Sequence, residues 1–265
     1  MDDQLRYGVR ILRINPKAVD LCERIVFGGA LRERFAKMIL TAHYGSRHRR
    51  HWTWRAHYEP HFTDHEINFF RLYSGNVDQS IYGLTRAFLS ADAVSQGDVV
   101  LDIGCGDGGF TKRFLAPKAS HVDAIDIEGS AIKWAGAKNP APNITYLQSD
   151  AVHADFPRQR YDLVVFDGAI GHISKPDAAA LLGKIAQALG PKGMFVGSES
   201  LGTEGSDHLQ FFVTVEDLRA FLATHFAVVR LKTVSYEINN GSYLRTEAYW
   251  RCGQDFEIVD WCGWS

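Results

Sequence analysis

The sequence predicts an α/β fold with a doubly wound sheet, a terminal antiparallel hairpin and a helical extension at the N-terminus. Short apolar runs followed by turn residues recur from about residue 98 onward and are typical of buried strands. Near the C-terminus, two β-rich runs, Phe226 to Val234 and Tyr243 to Arg251, flank Asn239-Asn240-Gly241, which is a hairpin signal. Before residue 95, the helical spacing of Leu21 to Tyr44 predicts helix instead.

The first predicted strand leads into a glycine-rich turn. The apolar run Val99 to Ile103 is too short for a helix and fits a strand that is covered on both faces. The following pattern, Gly104-x-Gly106-x-x-Gly109, is typical of a nucleotide-like ligand at a strand-to-helix turn. Asp102 stands two residues before the first glycine, where its carboxylate would repel a pyrophosphate and attract a cationic ligand.

Three further strands are each followed by an aspartate. The run from His121 ends in Asp126, which lies 126 − 102 = 24 positions after Asp102 and so near the usual spacing of a ribose-binding acid. Asp150 follows the run from Ile144, and Asp167 ends the run from Tyr161. The run Leu189 to Glu199 reads as a turn followed by a fifth strand. An aspartate at a strand end is commonly a cap or turn residue, but four at successive ends favour one shared ligand.

These ordered elements, over roughly residues 97 to 251, resemble the class I S-adenosylmethionine-dependent methyltransferases. The resemblance implies a seven-stranded Rossmann-like sheet over residues 96–265, a helical, basic extension over residues 1–95, and S-adenosylmethionine as the cofactor. The acid and the small residue after the third strand are then expected to contact adenine. The expected cofactor contacts are Asp102, Gly104, Cys105, Gly106, Asp126, Ile127, Asp150, Ala151 and Asp167.

The resemblance also supplies candidates for catalysis of methyl transfer. His172 stands just after the fourth strand, where related methyltransferases that act on small molecules often have a histidine. It is either a general base or a residue that fixes the turn. Asp167, Glu199 and His208 are further candidates, and the last two flank a glycine-containing loop that could form part of a lid. The motifs of the amino-directed and the cytosine C5 nucleic-acid methyltransferases are missing from the sequence. The end of the fifth strand, Val196 to Glu199, also lacks the catalytic lysine of ribose 2′-O-methyltransferases of the heat-shock rRNA type. An oxygen or nitrogen of a small molecule is therefore the expected acceptor.

The front of the chain differs in charge from the rest. Residues 1–75 contain 13 Lys+Arg and 8 Asp+Glu, a net charge of +5, whereas the remainder carries a net charge of −7. The stretch Arg47 to Tyr58 is basic and aromatic. It is a solvated segment packed on the domain, a surface for RNA or another anionic partner, or a recognition element for a phosphorylated or nucleotide-linked acceptor. An RNA-directed methyltransferase or binding module therefore stays an alternative, as does a less favoured NAD-dependent oxidoreductase.

Composition narrows the class of protein further. No apolar run approaches 18 residues and the first residues lack a signal-peptide pattern, so a cytoplasmic protein without a membrane partner is expected. The cysteines show no CxxC pairing and the histidines of the first 75 residues lack cysteine partners, so no metal is expected. The cysteines are Cys22, Cys105, Cys252 and Cys262.

Overall fold

A computed structural model of the chain describes residues 77–203, 208–238, 243–256 and 264. The helices are α1 (Val77–Ala93), α2 (Gly129–Lys138), α3 (Lys175–Ala188) and α4 (Val215–Leu222). The strands are β1 (Val99–Ile103), β2 (His121–Asp126), β3 (Ile144–Gln148), β4 (Tyr161–Asp167), β5 (Leu189–Leu201), β6 (Val228–Ile238) and β7 (Tyr243–Gly253). The basic stretch 47–58, the helical pattern at 21–44 and the hairpin turn at 239–241 lie outside the described residues.

One seven-stranded sheet has the order β3-β2-β1-β4-β5-β7-β6. The five strands from β3 to β5 pair in parallel, whereas β7 runs antiparallel to both β5 and β6. The strand order reverses between β1 and β4, and ligands of open α/β sheets bind at such a switch point, beyond the carboxyl ends of the strands. The predicted doubly wound sheet with a terminal antiparallel pair is confirmed.

The central strands are apolar because helices cover both faces of the sheet. Successive side chains of β1 alternate between two clusters, with Val100 in one and Leu101 in the other. On β4, Leu163 and Val165 join the cluster of Val100, while Val164 joins that of Leu101. Burial on both sides explains why these strands read as continuous apolar runs.

Helix α1 is fastened to the sheet by polar contacts at its C-terminal half. Ser90 Oγ donates to Asp167 Oδ2 at 2.9 Å. Arg251 on β7 donates through Nη2 to Asp92 Oδ2 at 2.8 Å and to Leu89 O at 3.2 Å. Helix α1 lies in the N-terminal segment for which helix was predicted, and these contacts pack it onto β4 and β7.

Two local predictions differ from the structure in detail. The turn predicted at the start of the run Leu189 to Glu199 is a bulge inside β5, because the register moves from Tyr161↔Leu189 to Leu163↔Met194. The helix expected after the glycine loop is a five-residue π-helical segment, Thr111–Leu115.

None of the helices in the described part of the chain is long and apolar enough to cross a membrane.

Candidate active site

The glycine loop after β1 has a backbone that only glycine adopts readily. Gly104 and Gly108 have φ angles of +73° and +72°. A Cβ on Gly108 would lie 2.4 Å from Tyr146 Oη, so the tyrosine on β3 packs directly on this glycine. A Cβ on Gly104 would meet nothing within 4 Å. Tyr146 therefore packs against the loop at Gly108, whereas the loop is open at Gly104. An open backbone is what a ligand needs in order to approach it.

Asp126 ties the glycine loop to the end of β2. Its Oδ2 accepts a hydrogen bond from Gly106 N at 2.9 Å, and its Oδ1 accepts one from Glu128 N at 2.8 Å. Cys105 N donates to Ile125 O at 3.1 Å, and the Cys105 side chain is buried, which raises the pKa of its thiol. Asp126 thus fills the turn role that aspartates have at strand ends. Each carboxylate oxygen can accept a second bond, so ribose hydroxyls could share the same group.

Asp102 is a buried carboxylate among other carboxylates. Burial, together with the charges of Asp167 and Asp126, raises the pKa of Asp102 to about 7. A 2.6 Å hydrogen bond from Thr111 Oγ1 and the charge of Arg86 act in the opposite direction. Burial also raises the pKa of Asp126 and of Asp167. We call Asp102, Asp126 and Asp167 the acidic centre, which suits a ligand with positive charge.

The predicted adenine-side residues lie beyond β2 and β3. The Ile127 side chain is 65% exposed next to Asp126, an unusual position for a large apolar group. Asp150 accepts from Val152 N at 2.9 Å and contacts His153 Nδ1 at 2.9 Å, and this histidine contact lowers the pKa of Asp150. Ala151 packs partly against the core. Asp150 therefore caps a turn, which was the alternative role for it, and that turn places Ala151.

Glu199 on β5 fixes the turn after β4. The side chain is 3% exposed, and burial raises its pKa, although the charge of His172 opposes the rise. Glu199 Oε2 accepts from Gly171 N at 2.8 Å, and Oε1 accepts from Ser200 N at 2.9 Å. Gly171 precedes His172 in a short 3-10 turn. By holding the backbone of Gly171, Glu199 therefore helps to fix the position of the His172 backbone.

His172 and His208 pack against each other at this turn. Their ring centroids are 4.5 Å apart and the rings are nearly perpendicular, at 87°. Leu209 N donates to Gly171 O at 2.8 Å, and a Cβ on Gly171 would lie 2.9 Å from His208 Nδ1. The structure thus brings three predicted catalytic residues, His172, Glu199 and His208, into one group.

Asp167, the fourth predicted catalytic residue, has a different set of neighbours. It ends β4 as part of the acidic centre, and it accepts a hydrogen bond from Ser90 on α1. Arg86 on the same helix lowers the pKa of both Asp102 and Asp167 by its charge. Neither Arg86 nor Ser90 was predicted; Ser90 meets Asp167 across 77 positions, and a helix carries no local signal of so distant a partner. Among the described residues, no group of three or more His, Cys, Asp or Glu is placed to hold a metal ion.

The chain matches a family model described as "Methyltransferase domain" over residues 100–193. An uncharacterised methyltransferase of Mycobacterium tuberculosis is 33% identical over 94 residues, which are 36% of this chain and 46% of that protein. Phosphoethanolamine N-methyltransferase of Plasmodium falciparum is 27% identical over 146 residues, 54% of this chain and 55% of that protein. The chain therefore spans about half the length of the curated relatives it matches.

Solved structures agree on the fold. The N-methyltransferase NodS of Bradyrhizobium japonicum in complex with S-adenosyl-L-homocysteine superimposes with a TM-score of 0.53 and 17% identity. The superposition covers 72% of this chain and 98% of NodS. At this level of identity the similarity concerns the sheet and its helices.

Proposed function

We propose that the chain methylates an oxygen or nitrogen of a small molecule. It belongs to the class I S-adenosylmethionine-dependent methyltransferases, an enzyme family whose cofactor is S-adenosylmethionine. The observation that carries this proposal is the acidic centre beside an open glycine loop. A sulfonium and an ammonium group both carry positive charge, whereas the pyrophosphate of a dinucleotide would meet Asp102, Asp126 and Asp167 with like charge.

The residues around the glycine loop fit this cofactor. Gly104, Cys105 and Gly106 present a backbone surface to its amino-acid end, with Asp102 and Asp167 supplying negative charge. Asp126 is the residue for the ribose hydroxyls. The exposed side chain of Ile127 and the turn that begins at Asp150 and Ala151 provide the adenine side.

Positioning dominates the chemistry in this proposal. The cofactor supplies an activated methyl group, and the protein holds the acceptor atom about 3 to 3.5 Å from it, in line with the leaving sulfur. The positive charge of the sulfonium is lost during transfer, so strong stabilisation of that charge would oppose the chemical step. The acidic centre therefore contributes to cofactor binding, and the position of the acceptor atom determines the rate of methyl transfer.

His172 is the proposed base for an acceptor hydroxyl. A hydroxyl attacks poorly until it loses its proton, and a nearby imidazole can take that proton near neutral pH. Glu199 positions His172 through the backbone of Gly171, and His208 packs against the His172 ring. An amine acceptor needs only to be neutral, and in that case the histidine pair would orient it.

The basic stretch 47–58 is the proposed recognition element for a phosphorylated acceptor. The phosphoethanolamine N-methyltransferase relative acts on an acceptor of that kind, which makes phosphoethanolamine a sensible first compound. Replacing both Arg49 and Arg50 with alanine is expected to raise the KM for such an acceptor and to leave cofactor affinity unchanged. An unchanged KM would remove the stretch from this role.

The test is transfer of a labelled methyl group from S-adenosylmethionine to a panel of amines, alcohols and phosphorylated small molecules. The panel includes total RNA, because RNA is the rival acceptor. We expect turnover on one small-molecule class, with release of S-adenosylhomocysteine in equal amount. Methylation of RNA alone, or cofactor binding without turnover on any member of the panel, would contradict the proposal.

A further inference from the structure

The loop between β3 and β4 begins with a single helical turn. Ala154 N donates to Asp150 O at 2.9 Å, and Asp150 Oδ1 accepts from Val152 N and His153 N at 2.9 and 3.3 Å. Asp150 thus satisfies the N–H groups at the start of the turn, as an N-terminal cap does. The carbonyl groups at the other end of so short a turn have no following helix to pair with and need another partner.

Lys184 on α3 is that partner. Its Nζ donates to Val152 O at 3.4 Å and to Ala154 O, and it lies 4.3 Å from the centroid of the Phe156 ring. One ammonium group therefore meets two carbonyls and an aromatic face of the same loop. Burial lowers the pKa of Lys184, while the charges of Asp155 and Asp150 oppose that change.

The helix that carries Lys184 is a firm support. On α3, Leu181, Leu182 and Ile185 are buried in the core, and Ser174 caps its first turn. Lys184 lies between Leu182 and Ile185, so its stem starts from a fixed point.

The ends of the loop are held independently of Lys184. Ser149 N donates to Asp126 O at 2.9 Å, which joins the start of the loop to β2. Arg158 Nε donates to Asp123 Oδ2 at 2.9 Å, which joins the end of the loop to the same strand. Lys184 is left to hold the middle of the loop, at the carbonyls of Val152 and Ala154 that end the turn begun by Asp150 and Ala151.

We propose that Lys184 is a positioning residue for the adenine end of the cofactor, because it fastens the carbonyl end of the turn that presents Asp150 and Ala151. This inference rests on the proposed use of S-adenosylmethionine and adds a residue outside the cofactor loops. Lys184 acts through the turn. Losing it frees the turn to shift while both ends of the loop stay attached to the sheet.

The test is calorimetric titration with S-adenosylhomocysteine and with S-inosylhomocysteine, in which an oxo group replaces the 6-amino group of adenine. Lys184→Met keeps the length of the side chain and removes its charge and donors. The affinity of this variant for S-adenosylhomocysteine is expected to fall about tenfold, and its preference for adenine over hypoxanthine is expected to shrink. Lys184→Arg, which restores donors and the contact with the ring, is expected to recover most of both.

Lys175→Met is the matched control, since Lys175 is exposed on the first turn of the same helix. It is expected to leave both affinities unchanged. Thermal unfolding of each variant shows that the domain is folded at the temperature of titration. If the wild type does not bind S-adenosylhomocysteine, the proposed function fails. If the wild type binds and Lys184→Met matches it in affinity and base preference, or weakens both ligands equally, the role of Lys184 is refuted.

Discussion

Replacing Asp102 with asparagine is expected to stabilise the ligand-free protein at neutral and alkaline pH. The Asp102 side chain is 4% exposed, and burial among other acids raises its pKa from 3.8 to about 7. Asparagine has nearly the same shape and carries no charge. Its amide can keep the contact with Thr111 Oγ1, which lies 2.6 Å from Asp102 Oδ2.

The size of the effect follows from the pKa. The rise from 3.8 to about 7 is about 3 pH units, each worth about 1.36 kcal/mol, so ionised Asp102 costs folding about 4 kcal/mol above pH 7. Below pH 3.8 the carboxyl is protonated in both folded and unfolded chains, and the cost disappears. The cost grows as the pH rises from there through 7. The advantage of Asp102→Asn should therefore be about 1 kcal/mol at pH 4.5 and about 4 kcal/mol at pH 8.5.

Urea unfolding of the ligand-free protein at pH 4.5, 6.0 and 8.5 measures this difference directly. Asp255→Asn is the control, because Asp255 is exposed and the same change there should alter stability little at any pH. An Asp102→Asn variant that is less stable than wild type at pH 8.5 would refute the reasoning. A stability difference that does not change with pH would refute it too.

Three further variants test other parts of the site. Asp126→Ala should weaken binding of S-adenosylhomocysteine by about 1.5 to 3 kcal/mol through loss of ribose hydrogen bonds; unchanged affinity in calorimetry would show that Asp126 does not hold the ribose. Gly108→Ala should lower stability by about 1 to 3 kcal/mol, since its Cβ would lie 2.4 Å from Tyr146 Oη at a φ of +72°, and wild-type urea unfolding would contradict that contact. His172→Gln should lower kcat for a hydroxyl acceptor about 10²- to 10⁴-fold without changing cofactor affinity, and an unaltered kcat would leave His172 only its role in the turn.

The parts of the fold that were predicted correctly are those with short-range signals. Val99 to Ile103 and Tyr161 to Asp167 are recognisable as strands because both faces of a central strand are buried, which makes the run apolar throughout. Asp102, Asp126 and Asp167 stand at strand ends, and parallel strands bring their carboxyl ends to one edge of the sheet. Convergence of these acids therefore follows from the topology alone.

The parts that were missed depend on contacts between distant segments. Ser90 meets Asp167 across 77 positions, and Lys184 meets Val152 across 32, so no periodicity or spacing near either residue indicates its partner. The bulge in β5 had a local signal, Gly190 and Gly193, but glycines in sequence do not distinguish a turn before a strand from a bulge within it. His208 was expected near the pocket, whereas its packing on His172 needed the structure.

The acids at strand ends have the structural role considered for them and keep the capacity to bind a ligand. Asp126 accepts from two backbone N–H groups, as a turn residue does, and keeps lone pairs for a ligand. Asp150 caps its turn and contacts His153. A structural role for such an acid is therefore compatible with a role in binding.

Calorimetric titration of the purified protein with S-adenosylhomocysteine, with NAD as the control ligand, tests the central claim most directly. The acidic centre and the open glycine loop predict saturable binding of S-adenosylhomocysteine at one site and no binding of NAD. Binding of NAD alone would contradict the account, because it would mean that Asp102, Asp126 and Asp167 tolerate a pyrophosphate.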